Sequence, residues 1–98
     1  MNPIQQLNIT EEIYSIKSLL VSVELPNSDL NKAPIQFFGI KESNYLIATG
    51  ALEIYNINAI LRSVAVLPAY QNSGIGKQMS CFLEKKAIEL GISLIEKN

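Results

Sequence analysis

Residues 61–76 read LRSVAVLPAYQNSGIG and combine three local signals in a fixed order. The first part, residues 61–67, is rich in β-branched and apolar residues, and Pro68 stops it because proline cannot donate to a strand ladder. A polar turn that contains two glycines follows over residues 71–76. From Ile75 onward a helical pattern begins. The stretch therefore predicts a strand, a glycine-containing turn and a helix, in that order.

The predicted helix has an apolar face and a glycine at its end. Its apolar residues recur at spacings of three and four, namely Ile75, Met79, Phe82, Leu83, Ala87 and Leu90. Gly91 stands where many helices place a left-handed residue. At the helix start, the first N–H groups lack partners, and the dipole adds about half a positive charge. Gly74 and Gly76 would let a pyrophosphate approach the backbone without a Cβ in the way, so the turn predicts an anion site.

The turn does not match two common phosphate-binding motifs. A Walker loop needs a glycine five positions before the Gly-Lys pair and a Ser or Thr directly after the lysine. Gln71 and Gln78 stand at those two positions. The dinucleotide motif G-x-G-x-x-G fails because Met79 occupies its third glycine position. The pattern that remains is Q-x-x-G-x-G, directly after a strand that ends V-x-V-x-P.

Composition narrows the class of protein. The 98 residues are 48% apolar and 17% charged, which predicts a single folded domain over residues 1–98. A net charge of −1 without a basic cluster argues against nucleic acid as a partner, and the lack of histidine argues against a metal site. The lone Cys81, interpreted as a small buried residue of the helix, predicts a reducing and hence cytoplasmic compartment. No apolar run is long enough to cross a membrane.

The rest of the chain predicts alternating short elements. A weak strand is expected over residues 4–9, and Thr10 is the expected N-cap of a helix that ends before Pro26. Asn27 or Ser28 is a possible cap for a short helical turn within residues 27–34. Strands are expected at residues 35–40, 45–55, 59–67 and 92–95, with turns at 41–44 and 56–58. Within the second of them, Gly50 indicates a bulge or a point of close packing.

The Q-x-x-G-x-G turn after a V-x-V-x-P strand resembles the acetyl-CoA signature of the GNAT N-acetyltransferase superfamily, R/Q-x-x-G-x-G/A. The wider string LEIYNINAILRSVAVLPAYQNSGIGKQM, residues 52–79, is most similar to the arsenic-resistance N-acetyltransferase-like branch. The resemblance covers residues 9–95 and implies an α+β fold in αβα layers. Its sheet would be mixed and mostly antiparallel, with helices on both faces. Full domains of this superfamily continue further, so the chain resembles one truncated after the helix that follows the loop.

The resemblance also implies a co-substrate and the residues that bind it. Acetyl-CoA would donate its acetyl group directly to a small amine acceptor, such as an amino acid or an analogue. The backbone of Val64 and Val66 would bind the pantetheine arm as a neighbouring strand does, while the alternative for their side chains is core packing. N–H groups of the loop would bind the pyrophosphate, and the residues concerned are Gln71, Asn72, Ser73, Gly74, Ile75, Gly76 and Lys77.

Catalytic residues are harder to assign. Glu53 is the candidate general base, and the alternative is a solvated carboxylate at the edge of the sheet. Arg62 and Ser63 precede the cofactor-binding part of the strand and are candidates for binding a substrate carboxylate, with a structural ion pair as the alternative for the arginine. Tyr70 lies in the loop and is not assigned as the general acid. Nothing else in the sequence supplies that acid.

Three functions remain open at this point. The chain is an N-acetyltransferase, a CoA-binding remnant without chemistry, or an interaction module that uses an open sheet edge. Its last strands are too apolar for a bare edge, which proteins normally charge, shorten or cover. We therefore expect a homodimer in which two copies cover that edge by twofold symmetry.

Overall fold

The computed structural model of the protein describes residues 2–28, 30 and 34–98. Its elements, in chain order, are β1 Gln5–Leu7, α1 Ile9–Ser22, β2 Ile35–Glu42, β3 Tyr45–Tyr55, β4 Asn58–Val66, a 3₁₀ turn Pro68–Tyr70, α2 Ile75–Glu89 and β5 Leu94–Lys97. The strands form one sheet in the order β1-β2-β3-β4-β5. Neighbouring strands are antiparallel except β4 and β5, which are parallel. The predicted α+β class with a mixed, mostly antiparallel sheet is confirmed.

The two helices pack on opposite faces of the sheet. Side chains of neighbouring strand residues point to opposite faces, so the adjacent Phe37 and Phe38 of β2 enter different cores. The α1 core joins Phe37 to buried residues of α1, such as Ile16 and Leu20. The α2 core joins Phe38 to Met79, Leu83 and Ala87 of α2. The ring of Phe38 also meets the ring of Phe82 edge to face, with centroids 5.3 Å apart.

Gly50 allows α2 to lie close to the sheet. A Cβ at this position would lie 2.6 Å from Met79 Cγ and 2.7 Å from Leu83 Cδ1, far inside van der Waals contact. Gly50 is also the β3 residue at which the pairing with β4 shifts register. The close-packing point and the bulge expected at this residue therefore coincide.

The two hairpin turns are tighter than predicted. β2 continues through Lys41 and Glu42, which were expected in the turn, and only Ser43 and Asn44 remain as loop residues. Both have positive φ, 50° and 69°, as in the two-residue turns that match the twist of antiparallel strands. The β3–β4 turn likewise shortens to residues 56–57, since β4 already begins at Asn58.

Several predicted helix details were wrong. The N-cap of α1 is Asn8, whose side-chain oxygen accepts a 3.1 Å hydrogen bond from the N–H of Glu11, so Thr10 lies inside the helix. Cys81 is exposed, because it is two residues, or about 200°, around the helix from both Met79 and Leu83. Leu90 is 45% exposed since α2 ends before it. Gly91 takes the predicted left-handed conformation, with φ of 80°.

Strand ends also differ from the predictions. β1 is limited to three residues, β4 ends one residue early at Val66, and β5 begins two residues late at Leu94. The late start follows from the end of α2, because the N–H of Ile92 still bonds to the carbonyl of Ala87 and closes the helix. Residues 29 and 31–33 of the helical turn predicted within residues 27–34 lie outside the described residues.

Candidate active site

Strand β4 contains a β-bulge between Arg62 and Ala65. Thr49 of β3 pairs with Ala65, but Ala51 pairs with Arg62, so Gly50 alone faces two residues of β4. Ser63, the first of those two, has a φ of 57°, which L-residues seldom adopt. Its carbonyl accepts a 3.0 Å hydrogen bond from the buried hydroxyl of Thr49. The backbone at this point is therefore turned out of the regular ladder.

The bulge reverses which face of the sheet each β4 residue meets. Before it, the buried Leu61 belongs to the α2 core. After it, Ala65, an even number of positions later, belongs to the α1 core. Val64 and Val66 consequently pack against the α2 core with their side chains. This arrangement agrees with core packing for the two valine side chains and leaves their backbone groups as the ones able to bind a ligand.

The backbone of Val66 faces away from β3. The N–H of the next residue, Leu67, donates to the carbonyl of Ile47 in β3, and backbone groups of successive strand residues point to opposite sides. The Val66 carbonyl instead accepts a 2.9 Å hydrogen bond from the side-chain amide of Gln71. On this side β5 pairs only with residues 58–61 of β4. Within the described residues, the side of β4 from Val64 to Val66 thus has no strand partner.

The loop after β4 leads directly into the start of α2. The 3₁₀ turn is followed by Asn72, with a φ of 65°, and by Ser73, whose hydroxyl donates to the Tyr70 carbonyl at 2.6 Å. Gly74 is the N-cap of α2 with a φ of 87°, a conformation that favours glycine, and it offers no side-chain oxygen to the helix. The first N–H groups of α2 therefore receive no side-chain cap from this position.

Exposure divides the predicted loop residues. Gln71, Asn72, Ser73, Gly74 and Lys77 are exposed, whereas Gly76 is half-buried and Ile75 lies in the α2 core. A Cβ at Gly74 would meet nothing within 4 Å, and one at Gly76 would meet only Val66 Cγ2, at 3.8 Å. The need for glycine at position 74 is therefore conformational, and the structure has room for a larger residue at position 76.

Glu53 and Arg62 form an ion pair beside the bulge. Arg62 Nη1 lies 2.8 Å from Glu53 Oε1, and the two side chains are only 13% and 14% exposed. The other carboxylate oxygen, Oε2, accepts a hydrogen bond from the hydroxyl of Tyr55. The Arg62 Nε also donates to Ser63 Oγ at 3.3 Å. The structure thus brings together the three residues predicted to act on the acceptor and adds Tyr55 to them.

Arg62 is thus ion-paired, as in its structural alternative, and the Glu53 side chain is largely buried. Ser63 is nearly buried, at 9% exposed, and its hydroxyl is engaged by Arg62. Sequence reasoning missed Tyr55 and Thr49. Tyr55 was detectable in principle, because a turn at 56–57 places residues 53, 55 and 62 near one another on adjacent strands. Thr49 had no such signal, since its partner exists only because of the bulge.

A cleft of about 690 Å³ lies at the hairpin end of the sheet, between α1, the β2–β3 hairpin and the 3₁₀ turn. Its walls include Tyr14, Tyr45, Tyr70 and Glu42. It contains none of the predicted site residues. Two of its lining residues, Leu67 and Tyr70, lie next to Val66 and Gln71 in the chain.

Two negative findings hold for the described part of the chain. Among residues 2–28, 30 and 34–98, no group of three or more His, Cys, Asp or Glu side chains is arranged to hold a metal ion. None of the helices in these ranges has the length and apolar character needed to cross a bilayer.

Several solved structures share this fold. The ribosomal-protein-S18-alanine N-acetyltransferase from Escherichia coli superposes with a TM-score of 0.83 at 20% identity, over 97% of this chain and 66% of that one. An aminoglycoside acetyltransferase from an uncultured soil metagenomic sample gives 0.80 at 17% identity, over 98% and 76%. Rv2747 from Mycobacterium tuberculosis, solved in complex with CoA, gives 0.74 at 19% identity, over 95% and 63%.

The family follows from sequence as well as from fold. No curated protein sequence matches the chain. The sequence model of the Acetyltransferase (GNAT) family, however, matches residues 4–97, which include every strand and both helices. The chain spans just under two thirds of the Escherichia coli structure that it resembles. With this match over nearly its whole length, the chain belongs to the GNAT acetyltransferase family.

Proposed function

We propose that the chain binds acetyl-CoA and transfers its acetyl group to the amine of a small molecule, as a single domain over residues 1–98. The observation that carries the proposal is the continuity between the unpartnered side of β4 at Val64 and Val66 and the uncapped start of α2 at Gly74. An extended amide chain suits the first part and an anion suits the second. Coenzyme A has both, joined in that order.

Each part of the proposed site uses backbone groups. The N–H and C=O groups of Val64 and Val66 would pair with the two amides of the pantetheine arm, as one strand pairs with the next. The Gln71 side chain would leave or share the Val66 carbonyl, to which it now donates. Gln71 to Lys77 would surround the pyrophosphate, with free N–H groups and the positive end of the α2 dipole stabilising its charge.

In the proposed reaction the acceptor nitrogen attacks the thioester carbonyl. One ammonium proton passes to a base before the attack, a C–N bond forms and the C–S bond breaks, and the sulfur leaves as a thiolate that takes up the second proton, which the nitrogen loses as the amide forms. We propose Glu53 as the base, and Arg62 and Ser63 as the groups that hold the acceptor beside it. The hydrogen bonds from Arg62 and Tyr55 hold the Glu53 carboxylate in one orientation.

The acceptor is proposed to be a small amine, in particular an amino acid or an analogue. One support is the sequence resemblance to the arsenic-resistance branch. The other is that the similar structures include an aminoglycoside acetyltransferase and a glucosamine-6-phosphate N-acetyltransferase. A cytoplasmic location is the companion expectation, since acetyl-CoA would have to be supplied there. Acetyl transfer to a panel of amino acids, amino sugars and a peptide with an N-terminal alanine tests the acceptor directly.

Coenzyme A binding is the first experiment. Replacing Gly74 with alanine puts a methyl group into the open space above the start of α2 and strains its backbone, so the dissociation constant for CoA should rise at least about tenfold. Gly91→Ala is a matched control, because Gly91 has a similar φ of 80° and equally open surroundings at the far end of α2. Calorimetry that finds no CoA binding to wild type, or equal losses in both variants, refutes the proposed site.

Turnover is the second experiment. Glu53→Gln should lower kcat by about a hundredfold or more while leaving CoA affinity unchanged. Glu84→Gln is the control, since Glu84 is also an ion-paired carboxylate, 3.0 Å from Lys97, but lies on α2. If Glu53→Gln reduces stability and leaves kcat unaltered, the ion pair is structural only.

A second candidate is a CoA-binding protein that performs no transfer. The observation that favours it is the engagement of both Glu53 oxygens by Arg62 and Tyr55, which leaves the carboxylate less available as a base. Wild-type protein that binds CoA in calorimetry but shows no turnover with any amine of the panel would select this alternative.

We also propose that the chain is a homodimer. β5 is the outer strand of the described sheet beside β4, and Leu94 in it is 52% exposed. Pairing two such edges would cover apolar side chains that strand edges normally lack. Light scattering at micromolar concentration should report twice the mass of one chain, and a folded species with the mass of a single chain would refute the dimer.

A further inference from the structure

Thr49 is one of two buried polar residues in the described part of the chain, and its side chain acts on the bulge. It is fully buried, and its hydroxyl donates to the carbonyl of Ser63 at 3.0 Å. A buried hydroxyl needs a hydrogen-bond partner, and it can satisfy a backbone group that the strand ladder leaves unpaired. Here that group is the carbonyl of the residue with a positive φ.

The bulge decides what β4 presents beyond Ser63. Side chains along a strand alternate between faces, so one extra residue moves every following side chain to the other face. Val64 and Val66 meet the α2 core, and Ala65 meets the α1 core, only because the extra residue is present. The position of the Val64 and Val66 backbone along the unpartnered side of β4 depends on the same residue.

We propose that Thr49 is a positioning residue for coenzyme A: its hydroxyl holds the Ser63 carbonyl, and with it the β4 bulge, in the conformation that aligns Val64 and Val66 with the pantetheine arm. Thr49 itself touches no ligand in this scheme. The inference rests on the proposed function, because the ligand that benefits is the one proposed for this edge. It predicts an effect on one arm of the cofactor rather than on the whole molecule.

Two substitutions separate the hydroxyl from the packing. Thr49→Val keeps the shape and removes the hydroxyl, whereas Thr49→Ser keeps the hydroxyl and removes a methyl group. Thr49→Val should raise the dissociation constant for CoA at least about tenfold, and Thr49→Ser should change it by less than about threefold. Unfolding by urea is measured for both, so that a loss of affinity is compared between folded proteins.

The nucleotide arm supplies the readout that general destabilisation would not reproduce. Adenosine 3′-phosphate 5′-diphosphate contains the nucleotide and the pyrophosphate of CoA without pantetheine, and NMR titration reads its binding into the millimolar range. Thr49→Val should leave its dissociation constant within about twofold of wild type, because the α2 start is untouched. The amide resonance of Val64 should shift in Thr49→Val and remain near the wild-type position in Thr49→Ser.

The outcomes distinguish this inference from the proposed function. Wild-type protein that does not bind CoA refutes the proposed function, and the Val64 resonance then still tests whether Thr49 holds the bulge. Wild type and Thr49→Val with equal CoA affinity refute the role of Thr49 alone. Thr49 is a core residue only if Thr49→Val loses equal affinity for CoA and for the nucleotide. The same conclusion follows if Thr49→Ser binds CoA as weakly as Thr49→Val, or if the Thr49→Val chain does not fold.

Discussion

The two halves of β4 differ in what their residues do. The lower half, residues 58–61, pairs with β3 on one side and with β5 on the other, and its Ala59 and Leu61 are buried in the α2 core. The upper half, residues 62–66, pairs regularly only with β3, and even that ladder is interrupted by the bulge. One strand therefore combines a segment that is paired on both sides with a segment, residues 64–66, that has no strand partner on one side in the described part of the chain.

The difference shows how a small domain leaves one strand segment without a partner on one side and still keeps its core. Backbone groups without a strand partner must pair with other groups or with water, so the stability of such a segment depends on how its side chains are anchored in the core. In the upper half the anchor is the bulge, which sends Val64 and Val66 into the same core that buries Leu61. Side chains therefore supply stability in both halves, while, within the described residues, the side without a strand partner is confined to residues 64–66 in the upper one.

The largest effect expected from this comparison is a loss of stability in the lower half. Leu61→Ala removes a side chain that is only 4% exposed and should lower the unfolding free energy by about 3 kcal/mol. Val64→Ala in the upper half, where the side chain is half-buried, should cost only about 1 kcal/mol. Urea denaturation of the two variants measures both values. Equal losses would mean that the two halves contribute alike to the core.

A substitution of Gly50, in the neighbouring strand β3, also tests the comparison between the two halves of β4. Gly50 stands opposite the bulge and lets α2 approach, so Gly50→Ala forces a Cβ against Met79 and Leu83 and should cost about 2 kcal/mol. The side-chain ends of Met79 and Leu83 have to move, which should also shift their methyl resonances. Stability within 0.5 kcal/mol of wild type, roughly the scatter of surface substitutions, would show that α2 is free to move away from the sheet.

Sequence periodicity predicted most of the helices and strands because they are set by local pattern, whereas their arrangement in layers was implied by the family resemblance. The apolar face of α2, the left-handed Gly91 and the succession of strands along the chain follow from spacing and from residues with strong conformational preferences. Asn8 and Thr10 illustrate where such reasoning fails. Both residue types cap helices, and the structure uses Asn8, whose backbone is extended and whose side chain accepts from the N–H of Glu11.

In the candidate site, the loop was identifiable from the sequence, whereas the bulge in the strand was not. The loop motif is continuous in sequence, so its residues were identified together. At the bulge, Thr49 meets Ser63, fourteen residues further along the chain, and no local pattern shows that a hydroxyl on one strand will meet a carbonyl on another. The pairing of Glu53 with Arg62 lies between these cases, because the register of a short hairpin places them near each other once the turn is known.

The smallest expected effect concerns the second glycine of the loop and sharpens the contrast between backbone and side chain. Gly76 lies in the first turn of α2, where a Cβ would contact only Val66 Cγ2, at an ordinary 3.8 Å. Alanine is the better helix former, so Gly76→Ala should raise the unfolding free energy by about 0.5 kcal/mol. Thermal or urea unfolding of the variant beside wild type measures this gain.

The effect of Gly76→Ala on CoA then separates two reasons for a glycine. If the pyrophosphate is held by N–H groups that a methyl group leaves accessible, affinity should stay within about threefold of wild type, unlike in Gly74→Ala. A loss as large as that of Gly74→Ala would show that the pyrophosphate contacts the Cα of Gly76, and that this glycine is kept for the ligand. Because Gly76 has no conformational need for glycine and Gly74 has one, the pair distinguishes strain from steric exclusion within a single loop.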